Sequence, residues 1–180
     1  MTASPRSSQR DVDRQFVKAL DHWRPQEPRP NIFRDLLSPQ ELRSKASRHR
    51  VLLQNTLKTS QSRIDLTQDW DVVCYSVFGK MQSAALYYLF TGDRRAVRPA
   101  IEAMEAMEAC SRKYWTFSSC IGVLDMDLRT AEAVLSMAMM KDCMQDALDA
   151  GVQRRLRHLM IDRCLRPGLD AERHKTYPWM

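Results

Sequence analysis

Glycine is scarce in this chain, with 5 in 180 residues. None sits in the clustered strand-to-helix turn of a phosphate loop or dinucleotide fold, where backbone amides must approach closer than side chains permit. A G-x-S-x-G elbow and a kinase motif set are also missing, so nucleotide chemistry and triad hydrolysis lose their usual sequence support. Long apolar runs are lacking too: no stretch approaches the ~20 residues that span a bilayer. The opening Met1-Thr2-Ala3-Ser4-Pro5-Arg6 leads into charged residues rather than an apolar segment. Neither a membrane span nor a secretory signal is therefore expected, which makes a cytoplasmic location the expectation.

The five cysteines Cys74, Cys110, Cys120, Cys143 and Cys164 are odd in number and form no C-x-x-C pair. That pattern suggests neither a zinc ribbon nor a disulfide framework, and the cysteines read mostly as small buried hydrophobes in a reducing compartment. The histidines His22, His49, His158 and His174 lack the i, i+4 arrangement of a helix-borne zinc site. No metal and no cofactor is expected. Period-2 alternation is absent as well, so strands are not expected.

With 44% hydrophobic and 28% charged residues, the chain has enough apolar material for a core. Residues 1–8 are rich in Ser, Pro and Arg and read as a disordered N-terminus; residues 9–180 read as a single all-helical domain. Val12, Phe16, Ala19, Leu20 and Trp23 recur at helical spacing until Pro25, Pro28 and Pro30 end the segment. Ser38-Pro39-Gln40-Glu41 has the form of a capping box, and predicts a helix carrying Leu42, Ala46, Leu53 and Leu57 to about Thr59. His49 falls in that stripe and reads as partnered and half-buried. A third helix is predicted from about Trp70 to Phe90. Thr91-Gly92-Asp93 then turns the chain, Gly92 suiting a left-handed position and Asp93 an N-cap. The return arm holds Val97, Ile101, Met104, Met107 and Cys110, with Pro99 expected to kink or delay its start.

After a connector over Ser111–Met126, Asp127 is placed to cap a long helix running to about Ala147, with Asp142 at the edge of its apolar stripe. A carboxylate there needs partners, which gives it a tie to a neighbouring backbone or cation. The last helix, about Val152 to Leu165, turns its arginines outward and stops at Pro167-Gly168. Antiparallel helices in succession define an all-α chain. The formal net charge of +6 is concentrated late, in Arg154, Arg155, Arg157, Arg163, Arg166, Arg173 and Lys175. A solvated basic face and a polyanion-facing surface both remain open for it.

The run Ala84-Ala85-Leu86-Tyr87-Tyr88-Leu89-Phe90-Thr91-Gly92-Asp93, followed by Ala103-Met104-Glu105-Ala106-Met107, resembles the N-terminal half of heparinase II/III-like polysaccharide lyases, of the chondroitin AC and alginate lyase superfamily. The resemblance continues through Tyr114-Trp115, Asp125-Met126-Asp127-Leu128 and Asp142. With a lead-in at Ile32-Phe33 through Leu42, it covers about residues 30 to 180. It implies an incomplete (α/α) toroid, the front part of a larger one, whose stacked hairpins form a groove for an acidic polysaccharide or oligosaccharide. The family cleaves uronate polysaccharides by β-elimination, neutralising the carboxylate and abstracting the C5 proton.

The Asn/His motif and catalytic tyrosine of the family are expected in later helices, so no catalytic residue is carried over. The chain is expected to be inactive by itself and to require a C-terminal lyase portion as its partner. Candidate substrate-binding residues are Arg112, Tyr114, Trp115, His174, Tyr177 and Trp179: aromatic faces stack on sugar rings and cations pair with carboxylate or sulfate. Core packing is the other reading open to each aromatic. The alternative function is a non-enzymatic helical adaptor for a protein partner, offering Met137, Met139, Met140 and Met144 as an adaptable surface where they are not core. Nucleic acid rests only on the Arg154–Arg166 helix and is not expected as a partner.

Overall fold

A computed structural model of the chain describes residues 38–68, 70–110, 117–118, 122–123 and 128–166. The helix predicted around Val12 to Trp23, the N-terminus expected to be disordered, the Asp127 cap and most of the 111–126 connector lie outside the described residues. Within them the chain is all-α. Helix α1 (Pro39–Ala46) passes through a 3-10 turn (Ser47–His49) into α2 (Arg50–Ser60). Next come α3 (Trp70–Thr91), a 3-10 turn (Arg94–Ala96), α4 (Val97–Ala109), α5 (Leu128–Cys143) and α6 (Ala150–Leu159), which continues as a π-helical segment (Met160–Leu165). One exception to the expected lack of strands is a minimal antiparallel pair, Phe117–Ser118 with Gly122–Val123.

The capping box forms as its residue types dictate. The Ser38 amide donates to Glu41 Oε2 at 2.9 Å while the Glu41 amide donates to Ser38 Oγ at 3.3 Å, each side chain satisfying an amide that the helix leaves free. The single helix predicted from there to Thr59 is interrupted at Ser47–His49. A 3-10 residue advances ~120° around the axis against ~100° for an α residue, so a stripe counted at constant spacing drifts across the break. Leu42, Leu53 and Leu57 still pack against the core. His49, predicted as half-buried, is instead swung to the exposed side.

Helix α3 is apolar on nearly all sides, which suits the middle of a helical assembly. It packs against α1, α2, α4 and α5, burying Val73, Val77, Met81, Ala84, Ala85 and Leu89. Its end is made by local chemistry. Thr91 Oγ1 donates to the Tyr87 carbonyl at 2.6 Å, and the Gly92 amide donates to the Tyr88 carbonyl at 2.7 Å. Gly92 has φ 69°, a left-handed conformation that a Cβ would penalise. Asp93 then caps the following turn by accepting from the Arg95 amide. Pro99 leaves α4 unbroken, because as its third residue it occupies a position whose amide has no intrahelical acceptor.

The second hairpin stacks beside the first. Gln82 Nε2 donates to Ser136 Oγ at 2.8 Å and Tyr88 Oη to Asp146 Oδ2 at 2.9 Å, so α3 and α5 advance in the same direction. Arg94 reaches the Ala147 carbonyl at 3.2 Å, joining the two hairpin turns. Opposite, Arg155 of α6 pairs with Glu105 and Glu108 of α4. Helix α6 begins where Asp149 accepts from the Gly151 and Val152 amides at 2.7 and 2.9 Å. The shared core is rich in methionine: Met81, Met104, Met137, Met140 and Met144 are fully buried, and Met139 nearly so. The methionine stripe considered as a contact surface is therefore core. Asp142 is half-buried at the rim of α5.

Candidate ligand cleft

Helix α2 lies antiparallel to α3. Lys80 of α3 reaches the Ser62 carbonyl beyond the end of α2 at 3.0 Å, while Leu53 and Leu57 of α2 face Tyr87 near the other end of α3. Between α2 and the Thr91-Gly92-Asp93 turn opens a cleft of about 520 Å³, lined by Arg50, Leu53, Gln54, Leu57, Tyr87, Thr91 and Arg95. This size falls within the ~300–1,000 Å³ of small-ligand sites. Its floor is apolar, from the two leucines and the Tyr87 ring. Its rim is cationic, from Arg50 and Arg95.

One wall is a fixed polar network. The Tyr87 hydroxyl donates to Asp93 Oδ2 at 3.2 Å, and Arg95 Nε donates to the same oxygen at 2.7 Å. The Arg95 guanidinium and its backbone amide hold the Asp93 carboxyl down at about 2. Burial and then the neighbouring Asp93 charge push the Tyr87 phenol above its ordinary value, so at neutral pH it keeps its proton. Arg95 is thus committed to Asp93, although its side chain remains largely exposed. Arg50 has no carboxylate partner among the described residues, and α2 carries no acidic residue in its first turn.

The rest of the basic charge is differently disposed. Arg155 is engaged by Glu105 and Glu108, and Arg166 pairs with Asp162 at 3.1 Å. Arg154 is exposed. A continuous arginine face along α6 is reduced accordingly, since paired guanidiniums present less positive field to a polyanion. Among the described residues no cluster of three or more His, Cys, Asp and Glu side chains is placed to hold a metal ion. No helix among them is long and apolar enough to cross a membrane.

All six residues predicted to contact substrate, Arg112, Tyr114, Trp115, His174, Tyr177 and Trp179, lie outside the described residues. The cleft therefore owes nothing to them. Of its lining, the apolar spacing marks Leu53 and Leu57 only as core positions, and Thr91 only as part of the turn. Arg50 and Gln54 carry no local motif, and their meeting with Tyr87 depends on how α2 docks on α3. Comparison with protein-family models, with curated proteins and with solved structures found no match.

Proposed function

We propose that the chain is the front part of an incomplete (α/α) toroid that handles acidic polysaccharide, as in the heparinase II/III-like lyases that its sequence resembles. The observation that carries this reading is the stack of two helical hairpins in which α3 and α5 run the same way and α4 lies beside α6. Repetition of such a step, hairpin beside hairpin with like helices adjacent, is how a curved helical layer with a concave face is generated. The Thr91-Gly92-Asp93 turn that anchors the resemblance is also where the first hairpin reverses.

In this reading β-elimination of a uronate-containing chain requires residues supplied by a C-terminal lyase portion. The present helices contribute saccharide contacts, including the proposed Arg112, Tyr114 and Trp115 and the proposed His174, Tyr177 and Trp179. Isothermal titration with alginate and heparin fragments at low ionic strength should give saturable heat that diminishes with added salt and with Trp115→Ala. Absence of heat with both polymers at low salt would overturn the reading.

The adaptor alternative loses its methionine surface to the core. It retains exposed Val51, Leu52, Val72 and Tyr75 as apolar side chains that a protein partner could cover.

A further inference from the structure

We propose that the cleft between α2 and the Thr91-Gly92-Asp93 turn is a subsite for a single acidic sugar ring, in which Arg50 captures the ring carboxylate. The inference rests on the acidic-saccharide reading above and adds a location and residue roles to it.

Three features of the cleft select this class of ligand. Its volume of about 520 Å³ accommodates a monosaccharide unit with room for its hydration. Leu53, Leu57 and the Tyr87 ring offer an apolar surface to the C–H face of a pyranose, and the exposed Gln54 amide can both donate to and accept from hydroxyls. A purely apolar ligand would make no use of Gln54 and Arg50, whereas a simple inorganic anion would leave the leucine floor unused.

The two arginines play different parts. Arg95 is fixed by Asp93, which in turn holds the Tyr87 hydroxyl, so it shapes the wall. Arg50 stands in the first turn of α2, where a positive charge works against the helix dipole and adds nothing to helix stability. Its guanidinium is exposed beside the apolar floor, and its planar fork matches a carboxylate with two parallel hydrogen bonds.

The test is a titration of the uniformly 15N-labelled full chain, followed by amide chemical shifts, with sodium glucuronate, with glucose as the same ring lacking the carboxylate, and with a heparin hexasaccharide. Glucuronate should move the amides of residues 50–57 and 91–95, and glucose at equal concentration should leave them in place. Arg50→Gln, a surface change whose spectrum elsewhere should match the parent, should weaken glucuronate binding about tenfold or more. Unmoved cleft amides, equal effects of glucose and glucuronate, or an unchanged response of Arg50→Gln would each overturn the subsite. Hexasaccharide binding that persists elsewhere on the chain would then keep the broader reading standing, while loss of all saccharide binding would remove both.

Discussion

Asp93 accepts from the Arg95 backbone amide, from the Arg95 guanidinium and from the Tyr87 hydroxyl, and each of these bonds favours the charged carboxylate. Its folded value of about 2 lies below the 3.8 of an unperturbed aspartate. A depressed folded pKa adds stability that is fully present above the unfolded value and fades as pH falls through the folded one. Stability should therefore decline from about pH 4 down to about pH 2. In Asp93→Asn this contribution should vanish, leaving a shallower acid limb in urea-unfolding midpoints measured across that range. An acid limb of unchanged steepness would show that Asp93 is not a principal site of this linkage. The cap and the left-handed glycine beside it were legible because Thr-Gly-Asp states its own local chemistry. The pairing of Tyr87 with Arg95 was not, because it spans a reversal whose geometry no spacing rule encodes. His49 is exposed where its spacing predicts half-burial for a related reason: the 3-10 turn that rotates it outward has no distinctive residue signature.

The helices themselves were readable where an apolar period met a punctuating residue, at Ser38, at Gly92 and at the long α3. The Asp149 cap is equally explicit in Asp149-Ala150-Gly151, yet it falls three residues before the apolar period that places the start of α6 at Val152. What joins one element to another was far less legible. Lys80, buried among the mostly apolar residues of α3, donates to the Ser62 carbonyl and to Glu102 Oε2, each at 3.0 Å, tying α3 to the loop after α2 and to α4. The two ends of this pair are unequal. The Lys80 side chain is 5% exposed and Glu102 42%, and Glu102 has a second partner in Arg98 at 3.1 Å. Removing the acid leaves a buried ammonium without its counter-charge. Removing the lysine leaves a wet, still-paired carboxylate. Glu102→Ala should thus destabilise by ~2 kcal/mol, while Lys80→Met, which fills the same space without charge, should stay within ~1 kcal/mol of the parent. Urea-unfolding midpoints at constant slope would measure both, and a larger loss from Lys80→Met than from Glu102→Ala would refute the asymmetry.

The buried cluster of the molecule draws on both hairpins, with Cys74 from α3, Cys143 at the end of α5 and Cys164 in the π-helical segment after α6. Burial pushes the Cys143 and Cys164 thiols up to about 12, so at neutral pH little thiolate exists even where a reagent arrives. Cys110, at the end of α4, is half-buried and raised to about 11. If the stacked hairpins share one cooperative core, Cys74, Cys143 and Cys164 should react with a maleimide only through the same opening event, at a common rate and with a common dependence on urea. Met137, Met140 and Met144, fully buried alongside them, should resist peroxide until that same opening occurs. Mass spectrometry of the labelled peptides resolves each site. A distinctly faster Cys164 would mean that the second hairpin peels from the first. The contacts holding the stack, Tyr88 to Asp146, Arg94 to Ala147 and Arg155 to Glu108, would then be yielding before the methionine core does. A common rate would instead place those bridges and the core within one unit, the rigidity that the proposed concave saccharide-binding layer would need if its hairpins are to keep their register.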